Sequence, residues 1–434
     1  MEKKQLEDVF NPGGFPDYTY NPRKQLTLEK DFKDYLTRGH KFLVLSGPTK
    51  SGKTVLCRRL IPLNEGIHIS GGQIKDESDF WQKIANQLQL FTSVSKSYQK
   101  ERGEGTSGQV KSGFNLGFVN IGSNVTGNES AKNAEIEAYL RNEDAKTIAL
   151  RFLDKKQKPL VIDDFHYIPH HIQINIVRAL KEPIYEGLRV VVISVPHKAY
   201  EANKIESEMT GRVQQLKIPL WHVLELMEIA NKGFPHLNLR PNDVLAGTLA
   251  KESFGSPQLM QEFCHNICKI NKITNTLEIP SEITNVPTES FYKEISDSFA
   301  SIAHFELLKH GPRPRKDRTH YKFFNGTEGD VYTAVLWALA NSGPKMDIHY
   351  DELKVEIKNI IINGEKCPQF LQVSRALEKM QQLSSGSEGR PNILEWSEIN
   401  STLHLLDPYF SFYLKWGIRN INPNSYGRTG NNCH

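Results

Sequence analysis

The sequence has few cysteines, no long apolar segment and no large excess of one charge. Its five cysteines are spread along 434 residues, a distribution that argues against a disulfide framework. No apolar run approaches the ~20 residues that cross a bilayer, and the opening MEKKQLEDVF lacks the apolar core of a secretion signal. Lysine and arginine number 54 against 50 acidic residues, a formal net charge of +4, which excludes a histone-like basic protein. These absences predict a cytoplasmic protein that does not enter a membrane.

The length and the pattern of apolar residues predict an α/β fold with more than one domain. At ~100–200 residues per domain the chain has room for two to three. Short apolar runs at 41–46, 66–70, 159–163 and 189–195 predict buried strands, and helical patterns lie between them. Strands that alternate with helices of this length predict βαβ crossovers and a parallel sheet buried on both faces.

Changes of composition predict the domain boundaries. We expect an α/β core at 1–219, a helical lid at 220–285 and a third unit at 286–434. Residues 92–130 are rich in Ser, Gly, Asn and Lys and read as an insertion within the core. They fit a flexible surface insertion or a glycine-rich hairpin that orders on assembly. The loop-like flanks favour the flexible insertion.

The most specific motif is G-x-x-x-x-G-K-[ST], which follows the first predicted strand. In such a P-loop, glycines let backbone N–H groups surround phosphate oxygens, and the following helix adds positive potential at its N-terminus. Lys53 would reach the β- and γ-phosphates, and Thr54 would place its hydroxyl on Mg²⁺. The predicted nucleotide-binding residues are Gly47, Pro48, Thr49, Lys50, Ser51, Gly52, Lys53, Thr54 and Val55.

A pair of aspartates supplies the second half of the predicted site. Asp163 ends a predicted buried strand and is suited to hold Mg²⁺ through water, while Asp164 would polarise the attacking water. The alternative is that the two carboxylates cap the following helix. Where many ATPases have a glutamate, Asp164 is a shorter arm, which suits slow turnover. ATP and Mg²⁺ are therefore the expected cofactors.

Together these motifs resemble the additional-strand P-loop ATPases, that is, the AAA+ class and its STAND signalling branch. The resemblance implies that residues 20–23, Tyr-Asn-Pro-Arg, pack near the adenine. It implies that Ser194 or His197 senses the γ-phosphate, and that Arg212 acts as an arginine finger on a neighbouring subunit's nucleotide. Pro257, in a Phe-Gly-Ser-Pro turn, corresponds to the lid proline that touches the base.

Each of these transferred roles has a simpler alternative. Ser194 would otherwise be a strand-end hydroxyl bonded to backbone, and Arg212 a solvated surface arginine. The sensor-2 arginine usual in AAA+ lids is not evident near Pro257. That departure favours a STAND-like or transposon-regulator-like ATPase over a processive motor.

The third unit has the pattern of a winged helix-turn-helix domain, in which three helices are followed by two alternating strands. Arg375 and Lys379 lie four residues apart on the third predicted helix and therefore share one face. In a DNA reader that face would meet the major groove. Glu378 dilutes the positive charge, and winged helices of STAND proteins often hold the ATPase closed. An autoinhibitory or partner-binding role is the preferred interpretation, and contact with duplex DNA is the alternative.

The most basic segment of the chain lies at 309–318, KHGPRPRKDR. Its prolines prevent a continuous helix and leave a loop able to follow a phosphate backbone. Nearby, Tyr321, Phe323 and Phe324 would stack on bases or simply anchor the loop. Since most charge runs are merely solvated, a nucleic-acid contact is the less favoured interpretation.

The cysteines do not add a catalytic or metal site. Cys57, on the helix behind the P-loop, fits a small packing residue better than a redox switch. Cys264 and Cys268 have the i,i+4 spacing of two zinc ligands, but no second Cys/His pair stands at finger-like spacing. Two buried helix-face cysteines are the better interpretation.

The sequence therefore predicts an ATP-dependent molecular switch that forms a homo-oligomer with ATP and works with a separate effector protein. The setting implied by the resemblance is prokaryotic signalling or anti-phage defence. The alternative is a DNA-binding loader or transposition-type regulator that contacts duplex DNA through Arg375, Lys379 and the 309–318 segment. A third possibility is a scaffold that holds nucleotide without hydrolysing it.

Overall fold

The computed structural model describes residues 3–90, 144–156, 158–195, 211–240, 242–313, 318–362, 366–385 and 392–418. Two units divide the chain. The first, which we call the sheet unit, comprises 29–46 and 56–217; the second, the helical unit, comprises 1–28, 47–55 and 218–434. Among the helices described, none combines the length and the apolarity needed to span a membrane.

The sheet unit contains five parallel strands. They are β1 (Phe42–Ser46), β2 (Ile67–Ser70), β3 (Leu160–Asp163), β4 (Val190–Ser194) and β5 (Val213–Lys217). Their spatial order is β2-β3-β4-β1-β5, so β4 is inserted between the strand that precedes the P-loop and the strand that ends in Asp163. This order confirms the predicted parallel sheet and the additional strand that the resemblance implies.

Helices cover this sheet and complete its core. They are α2 (Leu28–Arg38), α3 (Lys53–Leu60), α4 (Glu77–Gln87), α5 (Ala145–Lys156) and α6 (His170–Tyr185). Helix α4 begins after Asp76, whose side chain caps it by accepting the Asp79 N–H. Phe80 and Trp81 of α4, apolar residues of α5 and α6, and alternate residues of β1 to β4 form one buried cluster. Every residue of β1 and β4 is buried, which explains why those two strands are continuous apolar runs.

Strand β5 was not predicted from the sequence. It lies at the edge of the sheet beside β1, and its sequence VQQLK buries only Leu216. An edge strand with one buried position does not need the apolar run that marked the other four. The polar Gln214 and Gln215 therefore concealed it.

The helical unit begins with the short helix α1 (Leu6–Val9) and continues, after β5, with α7 (Val223–His236), α8 (Asp243–Glu252) and α9 (Pro257–Ile270). These helices and α10 (Glu289–Asp297) enclose one apolar core. The irregular stretch between α9 and α10 is anchored to the rest of the helical unit. Asn275 pairs with Gln5, and the Asn271 side chain bonds to the backbone of Thr284 and Asn285.

The rest of this unit has a second apolar core. Its helices are α11 (Ser301–His310), α12 (Val331–Asn341), α13 (Tyr350–Ile360), α14 (Phe370–Ser385) and α15 (Pro408–Trp416). Its strands are β6 (Tyr321–Lys322), β7 (Glu328–Gly329), β8 (Asp347–His349), β9 (Leu394–Ser397) and β10 (Thr402–Leu405). The strands β8, β10 and β9 form an antiparallel sheet in that order.

Some sequence predictions remain predictions. The three helices and the hairpin expected after residue 330 are present as α12, α13, α14 and β9–β10, and the short β8 adds a strand that was not expected. The winged-helix interpretation of this arrangement and the predicted boundaries near 219 and 285 stay proposals. The insertion at 92–130 and His197 lie outside the described residues.

Candidate nucleotide-binding site

The P-loop connects the end of β1 to the start of α3. Lys50 and Gly52 both have left-handed backbone, with φ of 59° and 92°, whereas Ser51 between them does not. Alternating right- and left-handed residues form the backbone nests that bind anions through N–H groups. Gly47 permits a close approach at the start of the loop, because a Cβ there would lie 2.5 Å from the carbonyl oxygen of Ile218.

Two side chains of the loop fit a phosphate ligand. The Lys53 ammonium donates to the carbonyl oxygens of Gly47 at 2.8 Å and Pro48 at 2.6 Å, so it is held over the loop itself. Ser51 is 2% exposed, and its hydroxyl has no hydrogen-bond partner among the described residues. A buried hydroxyl without a partner is costly, and a phosphate oxygen or a metal-bound water would satisfy it.

A tryptophan that the sequence analysis did not single out supports this loop. The Trp221 indole Nε1 donates to the Ser51 carbonyl oxygen at 2.9 Å. The guanidinium of Arg23 lies 4.8 Å from the Trp221 ring centroid, a cation–π contact. No local signal around Trp221 announces this role, since its partner stands 170 residues earlier.

Arg23, expected near the adenine, is a buried anchor of the segment that leads into α7. It is 2% exposed and donates to the carbonyl oxygens of Pro219 at 2.9 Å and Leu220 at 2.8 Å, and to Glu225 Oε2 at 2.8 Å. Burial alone would raise the pKa of Glu225, but hydrogen bonds from Arg23 and the His222 N–H outweigh burial and lower it. The charged pair therefore fixes the 20–23 segment to the start of α7.

Pro257 lies in the same part of the helical unit. It is the first residue of α9, whose cap is the Ser256 side chain, which accepts the Leu259 N–H. The carbonyl oxygen of the preceding Gly255 accepts the Trp221 N–H at 3.4 Å. One tryptophan thus contacts both the Gly-Ser-Pro turn and the P-loop.

In the sheet unit, Asp163 is the last residue of β3 and Asp164 follows it. Asp164 has left-handed backbone, with φ of 54°, and its N–H donates to Asp163 Oδ1 at 2.9 Å. The following turn, Phe165–Tyr167, and helix α6 have no side-chain hydrogen bond at their N-caps. In the described structure these aspartates therefore do not serve as helix caps, which was the alternative interpretation.

The two carboxylates act on nearby titratable groups. Burial, together with the charge of Asp164, raises the pKa of the Tyr167 phenol to about 12. Burial, reinforced by Asp163, raises the pKa of the Cys57 thiol to about 12. Cys57 is fully buried and stays protonated at physiological pH, which agrees with a packing role rather than a redox switch.

Ser194 ends β4 at the same edge of the sheet as Asp163. It is paired in register with Ser46, the residue after which the P-loop begins. It is 2% exposed, and its hydroxyl lies 3.4 Å from the Val195 carbonyl oxygen. The structure therefore brings Ser46, Ser194 and Asp163 to the carboxyl ends of three neighbouring strands, where open α/β sheets bind ligands.

Arg212 lies at the amino end of the edge strand β5, the opposite end of the strands from Ser194 and Asp163. It precedes β5, its carbonyl oxygen accepts the Phe42 N–H at 2.8 Å, and its side chain is exposed. The guanidinium lies 5.4 Å from the exposed ring of Tyr185. Arg212 is therefore not brought together with Ser194 and Asp163.

The residues considered for DNA contact fall into two groups. Arg375 and Lys379 are exposed on α14, although Lys379 also donates to Gln382 Oε1 at 2.8 Å. A shared hydrogen bond with Glu398 raises the pKa of Glu378 on the same helix. In the basic segment, Arg318 pairs with Asp330 and is only 15% exposed. Tyr321 and Phe323 are buried anchors, whereas Phe324 is 42% exposed.

The cysteines of α9 belong to a hydrophobic core. Cys264 and Cys268 are fully buried in the cluster of helices α7 to α9. Burial raises the pKa of both thiols, that of Cys268 to about 12. A thiol that resists deprotonation is a poor zinc ligand. The packing interpretation is therefore favoured.

No protein-family model matches the chain, and no curated protein matches it. Several solved structures are similar to the chain. A Walker-type ATPase of Pyrococcus abyssi aligns with 11% identity and a TM-score of 0.50 over 91% of this chain and 95% of that one. The ORC2 protein of Aeropyrum pernix, solved as ADPNP–ADP complexes, aligns with 12% identity and a TM-score of 0.47 over 94% and 95% of the two chains.

A STAND protein of Pyrococcus horikoshii with a tetratricopeptide repeat sensor aligns with 12% identity and a TM-score of 0.33, over 92% of this chain and 43% of that one. At such identities the likeness concerns the fold. The likeness to the Walker-type ATPase, taken with the strand order, shows that this chain has a P-loop α/β fold with an additional strand, as the sequence resemblance implied.

Proposed function

Because the chain has the P-loop α/β fold, we propose that it is an ATPase of the AAA+ type that binds ATP with Mg²⁺ and hydrolyses it slowly as a molecular switch. The observation that carries the proposal is the P-loop, whose backbone nest, Lys53 ammonium and buried Ser51 hydroxyl fit polyphosphate. Thr54 and Asp163 would hold the Mg²⁺, which neutralises charge on the transferring phosphoryl group. Asp164 would orient the attacking water, and Ser194 would contact the γ-phosphate.

Titration of a fluorescent ATP analogue with Mg²⁺ tests binding. We expect Lys53→Ala to weaken affinity by at least ~100-fold, since truncating one partner of a desolvated charge pair typically costs 2–5 kcal/mol. Lys30→Ala, at an exposed position on α2, serves as the matched control and should bind as the wild type does. Unchanged affinity in Lys53→Ala would show that the nucleotide does not bind at this loop.

Phosphate release tests hydrolysis. We expect slow release from the wild type and none from Asp164→Asn, with nucleotide affinity retained in that variant because the group acts on water rather than on nucleotide. Tight binding without release from the wild type would leave the nucleotide-holding scaffold as the function.

We also propose that ATP drives homo-oligomerisation, in which Arg212 of one copy stabilises charge on the nucleotide of the next. Arg212 is exposed at the amino end of the edge strand β5, whereas Ser46 lies at the carboxyl end of β1. This outward position supports the role. Sizing the protein with a non-hydrolysable ATP analogue should show a larger species, and Arg212→Ala should lose ATP turnover while retaining nucleotide affinity. A monomer with the analogue bound would contradict the assembly.

The setting we propose is prokaryotic signalling or anti-phage defence in the cytoplasm, with a separate effector protein as partner; this rests on the STAND resemblance alone. The alternative is a DNA-binding loader or transposition-type regulator. The exposure of Arg375 and Lys379 on one face of α14 favours that alternative. ATP-stimulated binding of duplex DNA with a steep salt dependence would support it, and no binding at low salt would exclude it.

A further inference from the structure

Helix α15 is shared by the two apolar cores of the helical unit. Tyr409 and Phe412 belong to the core of the lid helices, whereas Phe410, Tyr413 and Leu414 belong to the core of α11 to α14. A helix that is apolar all round is held on all sides. Any displacement of α15 would therefore disturb both cores at once.

The amino end of α15 contacts the P-loop. Lys50 Nζ lies 3.2 Å from Asp407 Oδ1 and 3.6 Å from the centroid of the Tyr409 ring. The side chains of Lys50 and Asp407 are 29% and 9% exposed, so this ion pair is partly shielded from water. Burial raises the pKa of the Tyr409 phenol, with smaller contributions from the carboxylates of Glu262 and Asp407. The ring is therefore neutral when it contacts the ammonium.

Asp407 is held in place by its own helix. It is the N-cap of α15, and the same Oδ1 accepts the Tyr409 N–H at 2.9 Å. Its carboxylate cannot follow Lys50 away from this position without uncapping α15. Lys50, in contrast, has a long and flexible side chain on the loop that is built for phosphate.

The carboxyl end of α15 is attached to the lid. Lys415 Nζ donates to both carboxylate oxygens of Glu252 on α8, at 2.7 and 2.8 Å. The Trp416 indole Nε1 donates to Glu252 Oε2 at 2.8 Å, and the Trp416 ring stacks on Tyr292 with centroids 4.7 Å apart. One helix thus contacts the P-loop at one end and the lid helix α8 at the other.

We propose that Asp407 determines the preference between nucleoside di- and triphosphate by competing with phosphate for Lys50. The inference rests on the proposed nucleotide binding. While Asp407 holds Lys50, the P-loop has one positive charge fewer available and a fixed negative charge beside it. A triphosphate carries one more negative charge than a diphosphate, so the ion pair disfavours it more. Triphosphate binding therefore frees the amino end of α15, and the diphosphate state retains the contact.

Asp407→Asn tests this competition without removing the cap, since asparagine is as good an N-cap as aspartate. We expect the affinity for a fluorescent ATP analogue to rise by about tenfold, within the usual range of coupling between sites, and that for the ADP analogue to rise less, by about threefold. Asp351→Asn, an exposed aspartate on α13, removes the same charge elsewhere and should change neither affinity. A merely structural role for Asp407 would not alter the ratio of the two affinities.

A second variant shows whether the effect passes through Lys50. In a Lys50→Met background, Asp407→Asn should change the affinity ratio by less than about twofold, because the two residues form one coupled pair. Equal effects of Asp407→Asn in both backgrounds, or an unchanged ratio in the single variant, would overturn the inference while leaving nucleotide binding intact. Absence of nucleotide binding by the wild type would instead overturn the proposed function and this inference with it.

Discussion

The P-loop at 47–54 and the basic segment at 309–318 are both rich in glycine, proline and positive charge, yet the structure uses them differently. In the P-loop, Lys53 lies over the loop's own carbonyl oxygens, and the Ser51 hydroxyl has no partner among the described residues. In the basic segment, Arg318 donates to Asp330 and to the carbonyl oxygens of His310 and Pro312. Positive charge alone therefore does not identify a phosphate site.

The difference follows from where each segment lies in the fold. The P-loop leaves a strand that is buried along its whole length and enters a helix N-terminus, where N–H groups are unsatisfied. The basic segment leaves the carboxyl end of α11, where carbonyl groups are unsatisfied instead. Arg318 donates to the His310 carbonyl at 3.1 Å and thus completes that helix end. The same kind of composition leads into a helix N-terminus in one place and completes a helix C-terminus in the other.

The largest difference between the two segments is expected when one glycine in each is replaced by alanine and nucleotide affinity is measured. In Gly47→Ala the new Cβ would meet the Ile218 carbonyl oxygen, so the loop backbone must move. We expect nucleotide affinity to fall by about 100-fold, as ångström-scale misplacement of binding groups typically costs. In Gly311→Ala, with φ of +57° and Tyr332 and Arg318 atoms within 3.0 Å of the new Cβ, we expect lower stability and unchanged nucleotide affinity.

Isothermal titration of both variants with ATP, at a temperature where each is folded, measures the contrast. Equal losses of affinity in Gly47→Ala and Gly311→Ala would show that the P-loop geometry has no special role.

Arg318→Ala should lower the free energy of unfolding by about 2 kcal/mol, because it leaves the largely buried Asp330 carboxylate without its cation and removes a contact with the Tyr332 ring. Lys309→Ala should change the same quantity by less than about 0.5 kcal/mol, since its ion pair with Glu306 is solvent-exposed. Chemical denaturation measures both. An unchanged free energy of unfolding in Arg318→Ala would indicate that this arginine is available for a ligand.

The sequence predicted best what depends on neighbouring residues. The buried runs of β1 and β4 and the eight-residue P-loop motif are local patterns, and the structure places Ser46, Ser194 and Asp163 at one edge of the sheet. Strand β5 was not predicted, because an edge strand with the polar Gln214 and Gln215 has no apolar run. The roles of the site residues stay predictions.

Long-range partners could not be predicted. Lys50 was assigned to phosphate together with the rest of its motif, but its side chain contacts Asp407, which lies 357 residues further along the chain. Nothing in the sequence around either residue indicates the other. Trp221 and Glu225 were missed for the same reason, since their contacts with Ser51 and Arg23 exist only in the folded chain.

The smallest effect is expected for the contact of the basic segment with duplex DNA. Of its described side chains, Arg318 is committed to Asp330 and Lys309 pairs with Glu306, whereas Arg313 is exposed. Each phosphate contact with duplex DNA adds ~0.9 to the slope of log affinity against log salt concentration. The double variant Lys309→Gln/Arg313→Gln should therefore lower the slope by no more than about 0.9.

Fluorescence anisotropy with a labelled duplex at 50 to 200 mM salt measures this slope, and Arg375→Gln is the matched charge removal on α14. A fall of about 1.8 in the double variant, the value for two phosphate contacts, would show that the basic segment follows a phosphate backbone. The basic segment and the P-loop would then both bind phosphate and would differ only in the ligand that carries it. A smaller fall than in Arg375→Gln would place any duplex contact on α14, because there the basic side chains lie exposed on one helical face and are not needed to complete a helix end.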